Sequence, residues 1–197
     1  MLLFYPVVPD AFGDRMVFEY DTARLCNLIE TVAAYHAASG NYNSLERPVD
    51  LTVTQMQKLC YFCDFDHFEQ YGESLTDCIY VRTPKGPAPI FFHRAVRELV
   101  TDERISLKGN AIVPSEDAIH ELDVNSKEIP HSDKWSFDEL LTIIHTVNRY
   151  SRYSEKELCQ LSRKDNPCQI AGDYQALNYN AAYYRKPFYS NREDSDE

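Results

Sequence analysis

The chain has 197 residues, 31 acidic against 20 basic, for a formal net charge of −11 and a pI near 5.0. Hydrophobic residues make up 44% and charged residues 26%, the balance of one globular domain, which excludes wholesale disorder, collagen-like sequence and a membrane bundle. So acidic a chain is not built to hold nucleic acid through phosphates, which takes clustered Lys and Arg, but it is compatible with a basic protein partner.

Met1–Asp10 is apolar but has no basic leader and carries Pro6 and Pro9, so residues 1–20 read as an N-terminal extension and not as an export signal. No stretch approaches the ~18 uninterrupted apolar residues of a membrane span. Without an export signal, the six cysteines are expected as reduced thiols of a cytoplasmic protein.

The first helix is expected over Thr22–Ser39, with Asp21 as N-cap and Gly40 after its end. Leu25, Leu28, Ile29, Val32, Ala33 and His36 form its apolar stripe, which makes His36 a hydrogen-bonded core residue. Gly40–Asp50 reads as a loop. The next helix has a complete start signal: Thr52 and Gln55 make a capping box, and Leu51 and Met56 a hydrophobic staple. It should run to Tyr71 and stop at Gly72. Between Leu59 and Phe68 it is apolar on nearly every face, which places it at the centre of the fold.

Asp77–Arg82 reads as a short strand around Ile79-Tyr80-Val81. Thr83–Pro89 holds three prolines and a glycine, which exclude regular structure there. A third helix covers Ile90–Val100, with Phe92, Ala95, Val96, Leu99 and Val100 inward. Ile105–Leu107 and Ala111–Val113 flank Lys108-Gly109-Asn110 as a β-hairpin. A short helix is expected within Ser115–Asn125. Two further capping boxes open helices: Ser136/Glu139, running to Tyr150, and Ser154/Glu157, running to Arg163. The first of these should bury Phe137, Leu140, Leu141, Ile144 and Val147. A last helix covers Asn178–Arg185, and Glu193–Glu197 is an acidic tail with nothing to bury. The fold class is mainly α (α+β): a single compact helical domain with a central buried helix at about 52–71 and a small β-strand and hairpin element.

Cys60, Cys63 and His67 follow i, i+3, i+7 spacing on one helical face, with Cys78 just beyond as a fourth ligand for zinc. The same residues, with Asp64 or Asp66, can be drawn as a Cys–His nucleophilic set. Two turns into an apolar helix, however, thiols behave as small hydrophobes and gain nothing from the helix N-terminus. Lys85-Gly86-Pro87 lacks the spacing of a phosphate loop. Near the C-terminus, Tyr174, Tyr179, Tyr183, Tyr184, Phe188 and Tyr189 mix with Arg185, Lys186 and Arg192. Tyr and Arg are favoured interface anchors, so Tyr184, Arg185 and Tyr189 are the candidate partner-binding residues; packing of this segment onto the helices is the alternative.

Lys58-Leu59-Cys60-Tyr61-Phe62-Cys63-Asp64 resembles the Lys-Leu-x-Tyr-Phe-x-Asp helix of the Panacea domain, the SocA-like antitoxin family. The likeness continues in order through Tyr71–Thr76, Tyr80-Val81-Arg82, Gly86–Pro89, Phe137–Leu141, Leu158–Ser162 and Asn166–Ala171. It closes with Tyr179, Tyr183-Tyr184-Arg185 and Pro187–Ser190, covering about 21–192. Departures are Cys168, where the family often has Trp, and the extension through Tyr20. The resemblance implies a prokaryotic or phage antitoxin without cofactor or catalysis. It also implies a cognate toxin protein, bound directly, as partner, and at least one family type delivers its toxin to an ATP-dependent protease. Its motif residues are expected to be structural: Gly86-Pro87 shaping a turn, Tyr61 and Phe62 filling the core, Pro167 stopping a helix. The competing reading is a small Cys/His-dependent or zinc-binding enzyme centred on Cys60, Cys63 and His67.

Overall fold

The computed structural model describes residues 8–9, 15–16, 21–40, 50–122 and 132–190. Of the N-terminal extension it describes β1 (Val8–Pro9) paired antiparallel with β2 (Arg15–Met16). The rest of that extension, residues 41–49 of the expected loop, the last residues 123–125 of the segment expected to hold a short helix and the expected acidic tail lie outside the described residues.

Asp21 accepts a hydrogen bond from the Ala23 amide and starts α1 (Ala23–Gly40). Its whole expected stripe, His36 included, is buried. β3 (Leu51–Thr52) leads into α2 (Val53–Tyr71). The capping box forms in both directions: Thr52 accepts from the Gln55 amide at 3.1 Å, and Gln55 returns to the Thr52 amide at 3.0 Å. Gly72 ends α2 at φ +81°, a left-handed conformation that glycine adopts without penalty, and its amide donates to the Phe68 carbonyl. Thirteen of the 19 residues of α2 are buried, and α1, α5, α6, β5 and the C-terminal segment all pack on it.

β4 (Tyr80–Thr83) pairs antiparallel with β5 (Gly86–Pro89). This corrects the expectation of irregular structure after Thr83. Pro87 and Pro89 alternate along β5, so their missing N–H groups share the edge away from β4. The outward Pro87 carbonyl instead accepts from Lys58 Nζ at 2.6 Å. α3 (Phe92–Thr101) buries Phe92, Ala95, Val96 and Leu99, whereas Val100 is 39% exposed and leaves the expected stripe. β6 (Ile105–Lys108) and β7 (Ala111–Pro114) form the expected hairpin, and β3 adds a third strand in the order β3-β7-β6.

α4 (Glu116–Glu121) is short. α5 (Phe137–Tyr150) and α6 (Glu155–Lys164) open on the capping boxes at Ser136 and Ser154. The buried face of α5 differs from the expected one. Phe137 is 62% exposed and Leu141 and Ile144 are half-buried, while Thr142, Ile143, Thr146 and Tyr150 join Leu140 and Val147 inside. Two threonines face inward because they bond polar groups of α2. Pro167 does not stop α6; it lies in the first turn of α7 (Asn166–Ile170), where its absent N–H costs nothing. The last expected helix is a 3-10 helix, Tyr179–Tyr184. Aromatic rings close the core: Phe62 stacks on Tyr150 with centroids 4.0 Å apart, and Phe65 on Tyr179 at 4.5 Å. The architecture is mainly α with a small β element.

Candidate functional site

Six polar residues of α2 (Gln55, Lys58, Asp64, Asp66, His67 and Glu69) are buried, and each meets a partner outside the helix. Asp64 has no exposed surface. Its carboxylate accepts from the Thr76 amide at 2.9 Å, from the Thr76 hydroxyl at 2.6 Å and from the Tyr80 hydroxyl at 2.6 Å. Burial nevertheless dominates over these donors and pushes its pKa up to about 6. Lys58 is equally enclosed, and burial pulls its pKa down to about 8.

The largest network is built on Arg185. Its guanidinium lies 2.6 Å from Asp66 Oδ1, 2.8 Å from Asp165 Oδ2 and 3.5 Å from Glu69 Oε2, with the side chains of Arg185, Asp66 and Asp165 all 0% exposed. Tyr61 donates to Asp165 and Thr146 to Asp66, each at 2.8 Å. Asp165 also accepts from the Asn166 amide and so opens α7. Burial raises the Asp66 pKa, with Arg185 and Thr146 pulling it back. The Lys-Leu-x-Tyr-Phe-x-Asp motif therefore holds the fold: Lys58 ties α2 to β5, Tyr61 to the α6–α7 junction and Asp64 to the segment before β4, while Leu59 and Phe62 pack.

This placement answers the candidate residues one by one. Arg185 points into the core and Tyr189 is 5% exposed, so neither side chain is presented at the surface; Tyr184 is 77% exposed. Arg185 faces inward because two buried carboxylates require a cation. Cys60 and Cys63 are fully buried, which raises both thiols well above their ordinary pKa, the opposite of nucleophile activation. Cys78 does lie near Cys60, close enough to add to the rise in the Cys60 pKa. His67 Nδ1 sits 3.0 Å from the Thr142 hydroxyl. Among the described residues, no group of three His, Cys, Asp or Glu side chains is arranged to hold a metal ion. All six cysteines are free and buried.

Asp165 was not singled out from the sequence, and Asp66 only as the acid of a Cys–His set, not as a partner of Arg185. The signal was present: Lys58, Asp64 and Asp66 interrupt a helix otherwise apolar on every face, and buried ionisable groups demand partners. What periodicity could not supply was the partner, 119 residues away for Asp66 and Arg185.

The outer surface carries large apolar side chains: Phe137, Ile170, Tyr174, Tyr184 and Phe188 are each more than half exposed. No helix among the described residues is long and apolar enough to cross a membrane. No curated protein and no solved structure matches the chain. The family model for the antitoxin SocA-like, Panacea domain matches residues 56–168, from the start of α2 into α7. That span holds the Lys58–Asp64 motif, Gly86-Pro87 and Asp165, and it covers more than half of the sequence. The chain belongs to the SocA-like antitoxin family, as a Panacea domain.

Proposed function

We propose that this chain is an antitoxin that binds a cognate toxin protein directly and neutralises it, with no catalytic step of its own. The family match over 56–168 carries this reading. The distribution of chemistry supports it. The ionisable groups of α2 are committed to internal partners, and the cysteines are enclosed, so surface recognition is the chemistry left available. We assign 21–192 as the functional unit and a reducing, cytoplasmic setting, to which six free thiols are suited.

The test is growth. The open reading frame encoded beside this one is expressed alone in a bacterial host, and then together with this chain. Toxicity alone, rescue on co-expression and co-purification of the two proteins are the expected results. A harmless neighbour, or toxicity that persists with both proteins well expressed, refutes the reading. Repeating rescue in a host lacking its ATP-dependent proteases separates direct neutralisation, which survives, from delivery to a protease, which is lost.

A further inference from the structure

We propose that the C-terminal end of α2 and the first turn of α5 form the toxin-docking surface, and that it takes a basic segment of the partner whose Arg or Lys side chains lie against Tyr71 and Phe137. The proposal rests on the antitoxin reading for the identity of the partner, but its chemistry is read from this surface.

Four observations place these groups together. The Tyr71 and His67 rings lie 4.5 Å apart. The Tyr71 side chain lies beside that of Asp138, the residue after Phe137, and the carboxylate raises the Tyr71 pKa. The Tyr183 hydroxyl sits over Gly72, 3.4 Å from where a Cβ would stand. Glu73 and Asp138 both act on His67 electrostatically, so the two carboxylates border one patch. Tyr71 is 39% exposed, Tyr183 38% and Phe137 62%, with Glu73 and Asp138 exposed beside them.

The charge of this patch is one-sided. Residues 70–74 and 136–138 contain no Lys or Arg, and α2 has no basic residue in its last turn to balance the negative end of its dipole. On the inner side of that turn Arg185 answers Asp66 and Glu69. On the outer side neither Glu73 nor Asp138 has an ion-pair partner among the described residues, and Arg24, the cation that acts on His67, is bound to Glu139. Exposed rings flanked by carboxylates without an ion-pair partner favour a cation with a flat or apolar stem, through cation–π contact and ion pairing at once. The net charge of −11 steers such a partner in.

The probe is a fluorescein-labelled synthetic peptide alternating arginine with leucine, with its glutamate counterpart as control, read by anisotropy at about 0.15 M salt. The full chain should bind the arginine peptide and not the glutamate one. Glu73→Lys with Asp138→Lys should weaken binding at least about tenfold. The control pair Glu116→Lys with Asp117→Lys, in the first turn of α4, changes net charge equally and should weaken it less than about threefold. Tyr71→Ala with Phe137→Ala removes the two rings, keeps the charge and should also weaken binding; melting curves confirm that each variant is folded. Equal losses in the two charge-reversed pairs, or wild-type binding by the ring variant, overturn the proposal. In the growth assay, rescue by the wild type and equally by Glu73→Lys/Asp138→Lys overturns the surface but leaves the antitoxin reading standing. The expected peptide pattern without rescue by the wild type does the reverse.

Discussion

Replacing Arg185 by methionine keeps an apolar stem of similar length and removes the charge that two enclosed carboxylates share. Arg185, Asp66 and Asp165 are all 0% exposed, so water cannot take over the solvation of what is left. Breaking a buried pair by removing one member costs about 3–5 kcal/mol, because the other remains uncompensated. For a domain of this length that corresponds to a fall of about 6–20 °C in Tm. The loss should also depend on pH. Burial already raises the Asp66 pKa, and Arg185 opposes the rise. Without Arg185 the folded-state value climbs further above the ordinary ~3.9 of the unfolded chain. A carboxyl raised in the folded state is easiest to bury below its unfolded pKa, and stability is lost as pH rises through the folded one. The variant should therefore lose less stability near pH 4.5 than near pH 7.5 relative to wild type. Urea denaturation at both pH values, followed by circular dichroism, measures this, and adding Asp66→Asn to the variant should recover part of the loss. A loss under about 1 kcal/mol, or one equal at the two pH values, would refute the reasoning.

Asp64, with its pKa near 6, makes a similar contribution in the unmodified protein: stability is favoured below the unfolded pKa near 3.9 and lost as pH rises towards 6, so Asp64→Asn should flatten the wild-type stability profile over that window, measured by urea midpoint. Gly86→Ala should destabilise by about 2–4 kcal/mol, since Gly86 sits at φ +97° and a Cβ there would lie 2.6 Å from Ser162 Oγ; a change under about 1 kcal/mol by denaturation would show that β5 shifts freely. Cys60 and Cys63 should resist iodoacetamide in the folded protein at about pH 8 and react on unfolding, counted by mass spectrometry; rapid labelling of either would revive the enzyme reading. Thr52→Ala should cost about 1 kcal/mol by the same denaturation measurement, because it removes the cap of α2 and the bond to Glu155.

Local signals carried far along this chain. The three capping boxes, the stop at Gly72 and the hairpin at 105–114 all formed where short-range chemistry placed them. Failures came where a distant partner overrode the local pattern. On α5, apolar spacing points Phe137, Leu141 and Ile144 inward, but Thr146 must reach Asp66 and Thr142 the His67 ring, and the helix rotates to suit them. At Gly86–Pro89 the prolines argue against a strand, yet their alternation lets a two-stranded ribbon form. Arg185 read as an interface residue because its inward partners lie 20 and 119 residues away. Tyr184, its neighbour, is the candidate that does reach the surface.

The Arg185 network also imposes an order in time. The chain is made from the N-terminus, and domains fold as units while they emerge. The central helix of this one, finished at residue 71, carries Asp66 into the interior, but the cation that makes this tolerable is Arg185, 119 residues further along the chain. Until Arg185 has left the ribosome, the core holds a charge it cannot accommodate. A chain clipped ahead of Arg185 would carry the same penalty as a variant lacking its charge, a buried carboxylate without its cation. The central helix is therefore laid down long before the cation that balances its buried charge.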